Sequence, residues 1–283
     1  MPKVNVRRMV PEDFEFAIKL TNTSKWNLEI EDFRRALDLE PKGCFIAEVD
    51  RRRVGLLTTV VYDSLAWIGN VIIDESSRGE GFGVKLMKHA LKFLRARKAR
   101  TIGLYAYENT AGFYEKLGFV SETRFLRCHA KADKIKPSIH ARRMERSDLS
   151  RVITIDGKCM RASRKRMLDR WYSDFQQGSF VTGHSDRLIG FAISMPAVES
   201  VDVGPWICDS QYPDNASDLL KAIMNQFVGK QVNVGISKKN RVAQQVLDEL
   251  NFEVDFEVHR MYFEGVSQKI GNCLMGMESL ERG

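Results

Sequence analysis

The sequence predicts an α/β (α+β) protein made of two tandem copies of one unit. Two observations carry that reading. The stretch from Trp67 to Phe119 runs as apolar strand, glycine-rich turn, long helix, second strand and short helix. The chain then starts again. Ala141-Arg142-Arg143-Met144 repeats Val6-Arg7-Arg8-Met9, and at the same offset Asp148 matches Asp13, Phe180 matches Phe45, Ile189-Gly190 matches Val54-Gly55 and Asp209 matches Asp74. One offset held over so many positions is the mark of a duplicated fold.

Taken in order, Val4 to Arg8 alternates as a short strand. Pro11-Glu12-Asp13 opens a helix that runs to about Thr21, with proline early and acids in the first turn. Asn22 to Asn27 is a loop carrying Trp26, and Glu29 to Leu39 a second helix with Phe33, Ala36 and Leu37 on one face. Pro41-Lys42-Gly43 stops it. Cys44–Val49 and Val54–Tyr62 form a hairpin around Asp50 to Arg53. Asn70-Val71-Ile72-Ile73-Asp74 is a β-branched run typical of a strand. It leads into Arg78-Gly79-Glu80-Gly81-Phe82-Gly83 and then into Val84 to Lys98, whose apolar residues recur at helical spacing. Thr101–Ala106 is the next strand, Ala111–Leu117 a helix stopped by Gly118, and Phe119–Cys128 a returning strand. Ala130 to Pro137 is polar, lysine-rich and ends in proline, as a linker does.

The glycine turn carries the chemistry. Glycines between a strand and a helix let backbone N–H groups approach a bulky anion without Cβ clashes. The helix start adds unpaired amides and the positive end of a dipole, so the turn is suited to phosphate. In the second copy the turn reads Pro213-Asp214-Asn215-Ala216-Ser217-Asp218, with no glycine and two acids. That copy is expected to keep the fold and lose the anion site.

The bulk numbers narrow the function classes. There are 283 residues, 43% of them hydrophobic, enough for one large domain or two ordinary ones. The formal net charge of +7 comes from 44 basic and 37 acidic residues, so both signs are mixed and solvated surface is the simplest reading. Nucleic acid is not the expected partner. Arg95 to Arg100 is basic, but cations at a helix C-terminus complement its dipole. Cys44, Cys128, Cys159, Cys208 and Cys273 are odd in number and widely spaced, which favours reduced thiols in a cytoplasmic protein over a disulfide scaffold or a zinc site. The five histidines are equally scattered, and no metal is expected. No run approaches the roughly 18 apolar residues of a membrane span, and no signal-peptide pattern opens the chain. The sequence is silent on oligomeric state.

Arg78-x-x-Gly81-x-Gly83 after a β-branched strand, with Phe113-Tyr114-Glu115-Lys116-Leu117-Gly118-Phe119 downstream, resembles the GNAT superfamily of N-acetyltransferases. Trp26-Asn27, Gly43 to Glu48 and Trp67-Ile68-Gly69 resemble one branch of it that carries a second acetyltransferase-like domain. Gly204-Pro205-Trp206, Leu219-Leu220 and Arg260-Met261-Tyr262 resemble that second domain. The resemblance implies two GNAT-like domains, each a mixed, mostly antiparallel sheet flanked by helices. Residues 1–130 would be the active domain, 131–137 a linker and 138–283 the degenerate domain.

It implies a chemistry too: acetyl transfer from acetyl-CoA to a primary amine, small molecule or peptide, by direct attack and without a metal. The amides of Gly79, Glu80, Gly81, Phe82, Gly83 and Val84 would grip the pyrophosphate, with Arg78 near it. Lys85 is either a 3′-phosphate contact or a plain surface lysine. The free backbone of Val71, Ile72 and Ile73 would pair with the pantetheine arm, one N–H facing the oxyanion. Tyr114 would protonate the departing thiolate, since a tyrosine of ordinary pKa stays protonated at neutral pH. Its counterpart in the second copy is Leu247. Asn109 is either a cofactor contact or an N-cap, its spacing from Tyr114 being shorter than the family's. Trp26 and Trp67 either line the acceptor site or anchor their own elements. No general base is identified: Glu29, Glu31, Asp63 and Glu108 qualify by position only, and the second domain could supply one. The rival function is a non-catalytic acyl-CoA sensor or interaction module.

Overall fold

A computed structural model describes residues 4–136, 139–185, 187–268 and 270–283. The first half contains β1 (Val4–Arg8), α1 (Phe14–Asn22), α2 (Ile30–Leu39), β2 (Phe45–Val49), β3 (Arg52–Tyr62), β4 (Leu65–Ile73), α3 (Phe82–Ala96), β5 (Thr101–Tyr107), α4 (Glu108–Glu115) and β6 (Phe119–Lys131). The second half repeats that order with β7 (Ala141–Arg143), α5 (Leu149–Met160), α6 (Lys165–Asp174), β8 (Ser179–His184), β9 (Arg187–Pro196), β10 (Ser200–Cys208), α7 (Pro213–Gln226), β11 (Gln231–Ser237), α8 (Arg241–Glu249) and β12 (Glu253–Phe263). A last short strand, β13 (Leu274–Gly276), has no counterpart in the first half.

The elements fall close to where the residues predict them, with three physical departures. Helix α3 begins at Phe82, two residues early, because Gly81 takes a left-handed conformation (φ 77°) at its N-cap. Helix α4 begins at Glu108, so Tyr107 is the N-cap and Asn109 lies inside the first turn, exposed and without a capping role. Strand β6 runs on through Lys131, into the expected linker, because it pairs with β11 over its whole far end, from Phe125↔Ser237 to Lys131↔Gln231. Of that linker, residues 137–138 lie outside the described residues.

Duplication is visible in the hydrogen bonds themselves. Arg7 grips Asp13 with two bonds of 2.7 and 2.8 Å, and Arg142 grips Asp148 with two of 2.6 and 2.8 Å. Each carboxylate also accepts a backbone N–H at 2.9 Å, from Val10 and Glu145 respectively. The Thr59 hydroxyl donates to Gly43 O, and Ser194 to Gly178 O, at matching places.

Among the described residues the strands form one 13-stranded sheet in the order β1-β2-β3-β4-β5-β12-β6-β11-β13-β10-β9-β8-β7. The two halves therefore exchange strands. Strand β12 of the second half lies between β5 and β6 of the first, pairing antiparallel with both. Strand β6 in turn borders β11. Helix α3 packs Phe82, Leu86, Met87 and Ala90 on one face of the first half, against Phe45, Ala66, Ile68 and Leu104. Helices α1 and α2 cover the other face through Phe14, Ala17 and Phe33. Beside them α5 and α6 reach across, so that Met167, Leu168 and Trp171 share a core with Val60, Tyr62 and Trp67. This shared core also buries an ion pair, Asp156 with Arg164 at 2.6 Å, both side chains fully enclosed.

The expectation of reduced thiols is corrected at one pair. Cys159 at the end of α5 and Cys273 just before β13 form a disulfide, with Cα atoms 5.9 Å apart. The residues are separated by 114 positions, so their spacing carries no sign of the pairing; only the fold brings them together. Cys44, Cys128 and Cys208 are free and buried. Among the described residues no helix is long and apolar enough to cross a membrane.

Two outcomes follow from this architecture. Residues 1–136 expressed alone should fail to give a cooperative unfolding transition, because β5 and β6 both lose β12; co-expression with residues 137–283 should restore one, read by circular dichroism. Acid should destabilise both halves through the repeated carboxylates. Burial opposes ionisation of Asp13, but the hydrogen bonds from Arg7 and Val10 N–H outweigh it and hold its pKa below the usual range. The Arg142 hydrogen bond does the same for Asp148. Their stabilisation is complete above the unfolded carboxylate pKa of about 4 and is lost as pH falls through the lower folded values. Denaturant titrations of Asp13→Asn and Asp148→Asn should show a flatter acid limb than the parent.

Candidate active site

Strands β4 and β5 run parallel but pair only at their beginnings, Leu65↔Thr101, Ala66↔Ile102 and Trp67↔Gly103. Beyond Trp67 they splay, so the β5-facing backbone of β4 as far as Ile73 has no strand partner. On its other side β4 carries a bulge. Register with β3 shifts between Thr58↔Gly69 and Leu56↔Ile72, and Asn70 takes φ 53°. A bulge re-aims backbone groups relative to the ladder, and such positions are favoured beside reacting centres. Asn70 Nδ2 donates to Thr58 Oγ1 at 3.2 Å, while its Oδ1 is buried without a partner.

The glycine turn stands at the end of this open strand. Gly79 and Gly81 have φ of 85° and 77°, and a Cβ on either would meet nothing within 4 Å. The turn is thus an open cradle held by left-handed backbone, a conformation glycine adopts without strain. The first bond of α3 runs from Lys85 N–H to Gly81 O at 3.2 Å, leaving the amides of Phe82, Gly83 and Val84 without partners inside the helix. Arg78 is exposed and folds back so that its Nε donates to Ile73 O at 3.1 Å. Glu80 and Lys85 are exposed; Val71, Ile73, Gly83 and Val84 are half-buried, and Ile72 is buried among α1 and α2. Chemically the arrangement offers unpaired strand backbone as hydrogen-bond groups, and glycine amides at a helix start suited to an anion.

Tyr114 on α4 packs into the core beneath α3. Its ring is 8% exposed and packs edge-on against Phe113 and Phe119, with centroids 5.1 and 6.1 Å away. Burial raises its pKa above the ordinary tyrosine value. It therefore stays protonated through the neutral range, as a donor must.

Alternation separates the two faces at the splay. Ala66, Ile68, Leu104 and Ala106 point into the α3 core, so Trp67, Gly69, Tyr105 and Tyr107 point to the opposite face. Trp67 is fully buried there, its ring stacked on Tyr105 at 5.1 Å and Gly283 lying against the indole. It serves as core rather than as a surface lining. Trp26, half-buried in the α1–α2 loop, faces the Tyr107 hydroxyl. The structure thus brings Trp26 to Tyr107, carries the bulge at Asn70 on the neighbouring strand β4, and leaves Asn109 on the exposed side of α4. Sequence reading missed Tyr107, Asn70 and the segment 277–283. Alternating Tyr105 and Tyr107 in a strand was the available signal for the first; nothing near the others pointed to the site.

The matching gap in the second half is closed. Strands β10 and β11 pair in parallel from Ser200↔Gln231 to Val203↔Val234 and then part. Strand β13 fills the opening, with Trp206↔Gly276 and Ile207↔Leu274 on one side and Ile236↔Gly276 on the other. Cys208 N–H to Cys273 O and Met277 N–H to Gly235 O, both 2.9 Å, seal its ends. The first turn of α7 buries Asn215, Ala216, Ser217 and Asp218, and Asp218 accepts from the backbone N–H groups of Ile139 and His140. Leu247, the counterpart of Tyr114, is buried apolar core.

Comparison with known proteins agrees with this two-copy geometry. Residues 10–119 match the acetyltransferase (GNAT) family, and residues 152–273 match a second acetyltransferase (GNAT) domain family. A holothin acyltransferase of Pseudoalteromonas sp. (strain SANK 73390) is 23% identical over 278 residues, covering 96% of this chain and 92% of that protein. The crystal structure of a putative acetyltransferase from Pyrococcus horikoshii superposes with a TM-score of 0.85 at 22% identity, covering 99% of this chain and 96% of that one. A GCN5-related N-acetyltransferase from Sphaerobacter thermophilus gives 0.69 at 12% identity over 95% and 98% of the two chains. A tandem GNAT protein from the clavulanic acid biosynthesis pathway gives 0.66 at 13% identity over 92% and 98%. With a splayed, glycine-gated first copy and a second copy closed by β13, the chain has the GNAT acetyltransferase-like fold as a tandem of two GNAT domains.

Proposed function

We propose that the first half transfers an acyl group, acetyl in the simplest case, from acyl-CoA to a primary amine by direct attack. One observation carries this: the β4–β5 gap with its glycine turn is open in the first half, and the same gap is filled by β13 in the second. In this reading Val71, Ile72 and Ile73 offer their β5-facing backbone to the pantetheine arm. The bulge at Asn70 aims a neighbouring N–H at the acyl oxygen, where charge develops in the transition state. The amides of Gly79 to Val84 hold the pyrophosphate, with Arg78 free to swing from Ile73 O onto it. Tyr114 gives its proton to the departing sulfur. Asn109 could reach the cofactor only from the outer side of α4, and Trp26 borders the acceptor.

Direct attack is favoured over an acyl-cysteine route. The Cys44 thiol is fully buried, and burial pushes its pKa up to about 12, so it supplies no thiolate near neutral pH. The relative named above is, by its name, a holothin acyltransferase. For this chain a small acceptor is the reading adopted.

The reading is tested with acetyl-CoA, an amine panel and free-thiol detection. Binding of acetyl-CoA with no CoA release from any amine would favour the non-catalytic sensor instead. Tyr114→Phe should lower kcat on the order of 100-fold. Because its pKa lies above the ordinary value near 10, Tyr114 contributes no alkaline loss of activity below about pH 10. The variant's pH profile should therefore keep the parent's shape. Gly81→Ala puts a methyl into the open cradle and a left-handed cost of about 1–2 kcal/mol onto the turn. Calorimetry should show CoA affinity weakened about tenfold or more.

A further inference from the structure

Segment 277–283 leaves β13 in the second half and crosses to the first. Trp171 Nε1 donates to Glu278 at 3.0 Å, and Arg164 Nη1 donates to Gly283 O at 2.8 Å. Between these anchors Glu281 lies on Gly69. A Cβ added to Gly69 would sit 2.5 Å from both Cα and O of Glu281. Glycine at 69 is what lets the segment reach β4, one residue before the Asn70 bulge.

The Glu281 side chain is 22% exposed. Tyr107 faces it from β5, and Arg282, Glu278 and the Ser279 hydroxyl face it from its own segment. Arg282 is the one cation among them, and it is already engaged. Its Nε donates to both Glu278 oxygens at 3.2 and 3.1 Å, and its guanidinium lies 5.1 Å over the Trp171 ring. Arg282 comes no nearer to Glu281 than 3.9 Å. Burial raises the Glu281 pKa, with Glu278 adding to it, and outweighs the opposing pull of Arg282 and the Ser279 hydrogen bond. Around Tyr107 lie Phe256 at 5.5 Å, Trp26 and the charge of Arg127, which is itself paired with Asp202, and Leu280 joins the Phe125–Val258–Met277 cluster. On this face α5 and α6 pack over Trp67, and the crossing segment lies on Gly69.

Resting on the acyl-transfer reading, we propose that Glu281, delivered by the second half, receives the acceptor's amine, and that the acceptor is a small primary amine on an aromatic body. The ammonium gives one proton to the Glu281 carboxylate, which releases it to solvent. The freed nitrogen lone pair attacks the acyl carbon; the C–N bond forms and the C–S bond breaks. The second nitrogen proton balances the one that leaves with the CoA thiol by way of Tyr114. Products are the amide, CoA and one proton.

The test compares the parent, Glu281→Gln and a control, Glu264→Gln, which removes an equal charge at an exposed ion pair with Arg95. CoA release is followed with acetyl-CoA and tryptamine, phenethylamine, spermine or a free-N-terminus tetrapeptide, across about pH 6 to 10. Acetyl-CoA affinity is measured separately by calorimetry. The parent should prefer the aromatic amines. Glu281→Gln should cut kcat/KM for them on the order of 100-fold at neutral pH, with recovery at high pH where more amine is already neutral. Acetyl-CoA affinity and the Glu264→Gln enzyme should be unchanged. Glu281→Gln activity within about threefold of the parent with the same pH profile would overturn the assignment. Preference for spermine or the tetrapeptide would overturn the substrate class, and loss of acetyl-CoA binding in Glu281→Gln would show a structural role instead. A parent that binds acetyl-CoA yet acylates none of the amines removes the acyl-transfer reading, and this proposal with it.

Discussion

Strand β12 is the constraint on which the rest depends. It forms ladders with β5 and β6 at once, and without it the first half has two open strand edges and the second half has no route back. Unpaired backbone in a buried sheet is costly, so the exchange makes the halves obligate partners. It also fixes their relative position. With β12 beside β5, helices α5 and α6 land on the Trp67 face of β4 and the shared core closes around Tyr62, Trp67, Trp171 and the Asp156–Arg164 pair. A buried ion pair adds little net stability over apolar packing, but breaking it is expensive. Its value here is register, since Arg164 also holds Gly283 O at 2.8 Å.

The same structural opening meets two fates within one chain. Two parallel strands that part leave a slot lined with unpaired backbone, and such a slot must be filled by a ligand, by water or by more chain. In the second half the filler is β13, and the loss of glycines at the adjoining turn follows easily once no anion has to approach. In the first half no strand enters, and the left-handed glycines persist where any side chain would crowd the cradle. Sequence divergence between the two turns thus goes with the filling of one slot by β13.

Much of this was legible in the residues. The repeat at a single offset was real, and the Arg7–Asp13 and Arg142–Asp148 pairs show why those positions match: each locks a strand to the start of its first helix. The turn, its flanking strand and helix, and the Phe113–Phe119 element were readable because local chemistry specifies them. What escaped was non-local. Nothing in β6 or β12 announces that each borders the other half, since a strand's sequence specifies a buried face and not its neighbour. The Cys159–Cys273 bond escaped for the same reason. Segment 264–283 has no period and few strong formers, so its role is set by what it touches rather than by what it is. Trp67 was left between two roles because an aromatic at a strand start reads alike whether its ring faces a ligand or, as here, Tyr105 and Gly283.

The path of that last segment ties the two halves into one site. The disulfide fixes residue 273 to α5, β13 fixes 274–276 in the second sheet gap, and Glu278 and Gly283 are held by Trp171 and Arg164. Each restraint lies in the second half, yet the product is the placement of Glu281 on Gly69 in the first. The plug that closes one slot is continuous with the wall of the other. The second copy thus acts as a rigid frame that presents a short segment to β4 of the first. Rigid presentation is the property an acceptor site needs, since a misplacement of about 1 Å between amine and acyl carbon costs on the order of 100-fold in rate. A covalent bond and a three-residue strand supply that rigidity to segment 277–283.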